Sequence, residues 1–205
     1  MADDDVMMPP APPTPAEVLA AEIDAVVAAM VASRWPTTPA EFAVWADEVG
    51  LFRADASSPE GSAAPHPLGK PEPELDEWAP GSRRFHAPGH PWMLSWHFRD
   101  DEFVGVAMFP GADLDPVELR RLGLALRDRF DARWEAAESL HDAPPLTGFA
   151  SFWLTGVCSV DLYWHAPRVD PFGDASSGAV QLAVSHDARS RAEDDEAAAR
   201  MTRGD

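Results

Sequence analysis

The sequence contains very little cysteine, lysine and tyrosine, and it contains no long apolar run. The single cysteine, Cys158, excludes an internal disulfide and a zinc site made only of cysteines. No stretch approaches the roughly 18 consecutive apolar residues that a membrane-spanning helix needs. The start, MADDDVMMPP, lacks the basic residues and the apolar run of a signal peptide. These absences predict a cytoplasmic protein.

Positive charge is also scarce. The chain has 16 basic residues against 35 acidic ones, which gives a formal net charge of −19. Such a chain repels nucleic acid and anionic membranes, and it attracts basic proteins. The same acidity also favours solubility, and both interpretations remain open. We therefore expect no nucleic-acid or membrane partner, and the partner that suits this charge is a basic protein.

Catalytic signatures are missing as well. No glycine-rich phosphate loop links a strand to a helix, and no Gly-x-Ser-x-Gly elbow occurs. The acidic runs at residues 3–5 and 193–196 lack the spacing of a calcium loop. The sequence therefore predicts no cofactor and favours a function other than catalysis.

Three helix starts share one local pattern. Thr14, Thr38 and Asp115 each offer a capping oxygen before a proline at the first helical position, and a glutamate follows three residues after each cap. Helices are predicted over 15–34 and 39–49. The apolar side of the first helix is expected to hold Val18, Ile23, Val26, Val27 and Met30. The helix that follows Asp115 is expected to carry an apolar stripe made of Leu119, Leu122, Leu126, Phe130 and Trp134.

Alternating apolar residues predict antiparallel strands. In PWMLSWHF the residues Trp92, Leu94, Trp96 and Phe98 fall on one face. The segment RDDE turns the chain into FVGVAMF, a second hairpin crosses Thr155–Gly156, and QLAVSH follows as one more strand. The pattern predicts an α+β fold, with a twisted, mainly antiparallel sheet of five or six strands and helices packed on one face.

Changes in composition divide the chain into five segments. We predict a disordered acidic, proline-rich lead (1–13) and a helical pair that packs on the main domain (14–52). A flexible insertion rich in proline, serine and acid follows (53–82). The sheet-and-helix core spans 83–187, and 188–205 form a polar terminal helix or tail.

The histidines give two alternative sites. His86, His90 and His97 are the metal alternative, although their spacing is not diagnostic and no metal is expected. The catalytic alternative is His97, Asp161 and His165, which share the strand faces that carry Ser95 and Tyr163. That shared polar surface is equally typical of the solvated side of a sheet.

Surplus aromatic residues indicate a binding surface. Phe152 and Trp153 are consecutive, so one of them points outward if they lie on a strand. An exposed aromatic of this kind would mark a docking surface, whereas helices that cover both faces locally would bury it, and both interpretations remain open. The predicted binding residues are Trp78, Phe152, Trp153 and Tyr163. Cys158 shares the parity of Val160 and Leu162, so it is expected in the core.

Three stretches carry a resemblance to known families. They are the helix ending at SRWP, the strand VDLYWH, and the strand VQLAVSHD before an acidic terminal helix. With the order of elements, these stretches resemble type III secretion chaperones. They also resemble small acidic actinobacterial proteins encoded beside type VII secretion and polymorphic-toxin genes. The resemblance implies an α+β protein that binds another protein, such as an immunity protein or a secretion chaperone.

The first hypothesis is therefore a non-enzymatic, acidic protein-binding module for a basic partner. The alternative is a small hydrolase or metalloenzyme that uses the histidine and aspartate residues of the outer sheet face. A structural or regulatory domain that is merely acidic is the third hypothesis.

Overall fold

The computed structural model of the protein describes residues 12–51, 74–75, 82–87, 92–111, 113–141, 148–169, 175–176, 178–192 and 198. Within these residues the helices are α1 (Pro15–Ala32), α2 (Pro39–Glu48) and α3 (Pro116–Arg133), and residues 187–192 form a short helical segment. The strands are β1 (Glu74–Leu75), β2 (Ser82–Ala87), β3 (Trp92–Arg99), β4 (Glu102–Pro110), β5 (Ala136–His141), β6 (Gly148–Leu154), β7 (Cys158–His165), β8 (Arg168–Val169), β9 (Ala175–Ser176) and β10 (Ala179–His186).

The three predicted helix starts are confirmed. At α1 the Thr14 hydroxyl accepts the Glu17 N–H, and the Glu17 carboxylate accepts the Thr14 N–H at 2.7 Å. At α2 the Thr38 hydroxyl accepts the Glu41 N–H, while the Glu41 carboxylate accepts the N–H of Thr37. The Asp115 carboxylate caps α3. These bonds satisfy backbone N–H groups that the first turn of a helix leaves without partners.

The buried face of α1 holds four of the five predicted residues, and the exception is Val18, which is exposed. Ala16 and Ala20 are completely buried in addition. Val18 lies about 200° around the helix from Ala16, because successive residues advance by about 100°. The periodicity that includes the alanines puts Ile23 and Val27 on the same buried side.

Eight of the described strands form one antiparallel sheet in the order β1-β2-β3-β4-β10-β7-β6-β5. The predicted α+β class, with helices packed on one face of an antiparallel sheet, is confirmed. The five central strands match the predicted sheet, and β1, β2 and β5 extend it at its two edges. The last strand of the sheet in sequence, β10, lies at its centre between β4 and β7. Strands β8 and β9 pair separately.

The β3–β4 hairpin closes through two aspartates. Asp100 and Asp101 have positive φ angles of 48° and 66°, the combination that a type I′ turn requires. A bulge follows, because Phe98 pairs with Phe103 while His97 pairs with Gly105. The predicted alternation nevertheless holds along β3, since its even-numbered residues from 92 to 98 are all buried.

Aromatic side chains fill the core between the sheet and the helices. Phe42 of α2 lies 5.9 Å from Trp96 and 4.6 Å from Phe103 between ring centroids. From α3, Phe130 meets Trp153 edge-on at 5.2 Å. Gly123 lets α3 lie close to the sheet, because a Cβ there would come within 3.2 Å of the Phe149 ring.

Several polar groups on this side of the sheet are hydrogen-bonded, whereas the buried Trp164 indole N–H has no hydrogen-bond partner among the described residues. The Trp153 indole N–H donates to Asp131 at 3.0 Å. Between the helices, Asp24 of α1 accepts two bonds of 3.0 Å from the Arg133 guanidinium of α3, and Arg129 lies 3.7 Å away. The predicted core position of Cys158 is confirmed, and burial raises the pKa of its thiol.

Arg189 fastens the segment 187–192 to the rest of the fold. Its guanidinium donates to the carbonyl oxygens of Pro36 and Phe103 at 2.7 and 2.6 Å. Each bond satisfies a backbone acceptor. The first joins this segment to the chain between α1 and α2, and the second joins it to β4.

The predicted flexible insertion, 53–82, lies largely outside the described residues. Glu74 and Leu75 belong to it and form β1, which pairs with Arg84 and Arg83 of β2. No helix within the described ranges is both long and apolar enough to cross a bilayer.

Candidate functional site

The candidate site is the face of the sheet turned away from the three helices, called the outer face here. Strand alternation and register place on it Met93, Ser95, His97, Gly105, Ala107, Phe109, Ala150, Phe152, Leu154, Ser159, Asp161, Tyr163, His165, Gln181, Ala183 and Ser185. Its centre is made of small residues, and larger side chains surround that centre.

One register row crosses the outer face at Asp161. In this row Asp161 on β7 lies opposite Phe152 on β6 and Ala183 on β10. Ala183 lies opposite Ala107 on β4, which lies opposite Ser95 on β3. A large ring therefore borders Asp161 on one side, and the short side chains of Ala183 and Ala107 follow on the other.

Three rings form a strip beside Asp161. Phe152 meets Tyr163 edge-on, with 5.7 Å between ring centroids. Tyr163 is nearly parallel to His165, with centroids 6.2 Å apart. Phe152 and Tyr163 are both half-buried, so their remaining surface is available to a partner.

The Asp161 carboxylate is half-buried and has no partner among the described residues. None of the described residues donates a hydrogen bond to it or forms an ion pair with it. Burial alone raises the pKa of Asp161 to about 6, because a carboxylate loses hydration when its surroundings are apolar. Burial also raises the pKa of Tyr163, and the nearby Asp161 charge adds to that effect. The site would therefore stabilise a cation placed beside Asp161.

The structure distinguishes the two consecutive aromatic residues that the sequence left open. Trp153 is completely buried against α3, so it belongs to the core and not to a contact surface. Phe152 lies on the outer face together with Tyr163. The fourth predicted binding residue, Trp78, lies outside the described residues.

The catalytic alternative does not come together as one cluster. His97 on β3 is three strands away from Asp161 on β7, about 14 Å at the usual strand spacing. His165 is four residues from Asp161 along the same strand, about 13 Å. These distances are too long for a proton relay among the three side chains.

The metal alternative falls mostly outside the described part of the chain. His90 is not described, and His86 is placed only through its backbone, opposite Ser95. The described ranges contain no group of three His, Cys, Asp or Glu residues that could hold a metal ion.

Two exposed apolar residues of the outer face were not predicted. Met93 on β3 is 48% exposed and Leu154 on β6 is 55% exposed. The alternation of residues along the strands could have identified them, because Met93 lies between the buried Trp92 and Leu94, and Leu154 follows the buried Trp153. These residues give the outer face apolar surface at both of its sides.

The chain matches no known protein-family model, no curated protein and no solved structure.

Proposed function

We propose that the protein is a non-enzymatic binding module that docks a basic partner protein on its outer face, in the manner of an immunity protein or a secretion chaperone. The observation that supports this most directly is Asp161, a half-buried carboxylate beside the rings of Phe152 and Tyr163 that has no cationic partner in the described part of the chain. A cation from another protein would supply what this site lacks.

The net charge favours the same partner. A protein of charge −19 raises the rate at which a cationic partner encounters it, and salt screens this attraction over about 8 Å at physiological ionic strength. Charge alone raises the rate of association but does not lengthen the lifetime of the complex. The exposed side chains of Met93 and Leu154 and the half-buried ring of Phe152 provide the contacts that slow dissociation.

Matched surface variants test the location of the binding surface. The outer-face variant combines Met93→Ser and Leu154→Ser. The control combines Val44→Ser on α2 and Val117→Ser on α3, which remove side chains of comparable exposure, 61% and 66%, from the helical side. Wild type and both variants are used to capture proteins from a lysate of the native organism, which mass spectrometry then identifies.

We expect a basic protein that is bound by the wild type and the control and lost from the outer-face variant. An acidic or neutral partner, or equal capture by both variants, would contradict the proposal.

Association and dissociation rates measured with the purified partner separate the contribution of charge from that of apolar contacts. Raising the salt concentration should slow association more than it speeds dissociation. Phe152→Ala should do the reverse and shorten the lifetime of the complex by an amount equivalent to about 2 kcal/mol. An association rate that does not depend on salt would leave the acidity as a contribution to solubility only.

A further inference from the structure

The helical side of the molecule contains a carboxylate, an arginine and an aromatic ring close together, whereas the outer face contains a carboxylate and aromatic rings. There, Arg133 donates two bonds to the Asp24 carboxylate, and its guanidinium lies 5.7 Å from the Trp134 ring centroid. A carboxylate, an arginine and an aromatic ring thus form one group. Such a group combines charged hydrogen bonds, here both donated by Nη2 of the arginine, with a cation–π contact.

The chain uses arginine over aromatic rings at two more positions, and both involve α3. Arg120 lies 5.8 Å from the Trp164 ring, and Arg127 lies 5.5 Å from the Phe149 ring. Phe149 and Trp164 have the strand parity of the helical side of the sheet. Among the described residues, no arginine lies over Phe152 or Tyr163 on the outer face.

We propose that Asp161, Phe152 and Tyr163 form a binding site for one arginine side chain of the partner protein. The guanidinium donates to the Asp161 carboxylate and packs against the two rings, which completes on the outer face the group that Asp24, Arg133 and Trp134 form internally. This inference rests on the proposed function, because it names the chemistry by which the outer face would recognise its basic partner.

The surroundings of Asp161 favour arginine over lysine. The neighbouring positions on β7 and β10 include Ser159, Ala183 and Ser185, whose short side chains carry no charge. A guanidinium is planar and weakly hydrated, so it enters a half-buried site between rings at less cost than a strongly hydrated ammonium group. No basic residue of β7, β10 or β6 faces Asp161, since Gln181, Ser185, Ala150 and Leu154 occupy the flanking outer-face positions.

Short peptides of defined charge test this site without knowledge of the partner. Acetylated tri-arginine amide is titrated into the full-length protein at constant ionic strength, and amide signals are followed by NMR. The tri-lysine and tri-citrulline peptides are the matched probes, because lysine keeps the charge and citrulline keeps the planar shape without the charge. We expect the largest shifts at residues 152, 161, 163 and 183, with the arginine peptide binding most tightly.

The matched protein variants are Asp161→Asn and Asp47→Asn. Both remove one negative charge, but Asp47 is exposed on α2, on the helical side of the sheet. We expect Asp161→Asn to weaken binding of the arginine peptide by about tenfold and Asp47→Asn by less than about twofold. Circular dichroism checks that both variants remain folded.

Two results would overturn the arginine site. Equal weakening by Asp161→Asn and Asp47→Asn would show that the peptide responds only to the overall charge. Equal affinity for the lysine and arginine peptides would show that the guanidinium group is not recognised.

Binding of the captured partner to the protein variants shows whether the arginine site or the proposed function is wrong. If Asp161→Asn binds that partner as the wild type does while the Met93/Leu154 variant does not, the outer face remains the docking surface and the arginine site is wrong. If the arginine peptide depends on Asp161 while capture does not depend on the outer face, the proposed function is wrong and the arginine site stands.

Discussion

Two carboxylates, Asp24 and Asp161, show how the two sides of this protein differ. Asp24 is almost completely buried between α1 and α3, and arginine side chains surround it. Asp161 is half-buried on the outer face and has no partner among the described residues. A buried charge without a partner destabilises a fold, so Asp24 has a structural role that Asp161 does not share. The contrast is the physical reason to look for a binding role at Asp161.

The largest expected effect separates the two neighbours Trp153 and Phe152. Trp153→Ala should lower the free energy of unfolding by about 3–5 kcal/mol, because it leaves a cavity under α3 and removes the bond to Asp131. Phe152→Ala should cost about 1 kcal/mol, since it mainly loses the edge contact with Tyr163. Urea unfolding of the two variants measures the difference. Similar losses would show that the outer face is packed as tightly as the core.

A smaller loss is expected at Asp24. Asp24→Ala should lower the free energy of unfolding by about 2 kcal/mol, less than for a fully buried pair because both arginine partners are partly exposed. The control is Asp128→Ala on the exposed surface of α3, where a change within about 0.5 kcal/mol is expected. A loss no larger than that of the control would mean that α1 and α3 are held together by apolar contacts alone.

The smallest expected change in the free energy of unfolding is an increase. Asp161→Asn should raise the free energy of unfolding by about 1 kcal/mol at pH 7.5, a value that allows for solvent screening at a half-buried site. The pKa of Asp161 is raised from 3.8 to about 6 on folding, so the folded state holds the proton more tightly. The carboxylate therefore lowers stability as the pH rises through this range, and the penalty is complete above pH 6 and absent below pH 3.8.

The difference between wild type and Asp161→Asn isolates this group from the other titrating residues. Urea midpoints at intervals from pH 3.5 to about 7.5 should show the two proteins converging as the pH falls. A wild type that is more stable than the variant at neutral pH would reveal a partner for the carboxylate within the chain.

The local features of the fold were predictable from sequence because each depends on a few neighbouring residues. The caps at Thr14, Thr38 and Asp115 need only an oxygen, a proline and a short spacing. The alternation along β3 and the core position of Cys158 follow from a period of two. These features fixed the fold class without any knowledge of which strands pair.

The remaining features depend on residues far apart in sequence. The edge strands β2 and β5 were missed because RRFHA and AAESLH lack a clear alternation of apolar residues. The sequence of β10 does not indicate that this strand lies between β4 and β7. Parity put Asp161 and Tyr163 on one polar surface, but only the register shows Phe152 opposite Asp161 and the distance to His97.

The central position of β10 has a consequence for how the chain is made. A ribosome completes the β3–β4 and β6–β7 hairpins before it reaches residues 179–186, yet β10 is the strand that joins them. Until it is synthesised, the hairpins expose unpaired edges, and strands in that state invite contact with other chains. The pairing of β4 with β10 also spans more than seventy residues, the kind of distant contact that slows folding. Full assembly of the sheet is therefore a late event, and the outer face is complete only once the strand at its middle has been inserted.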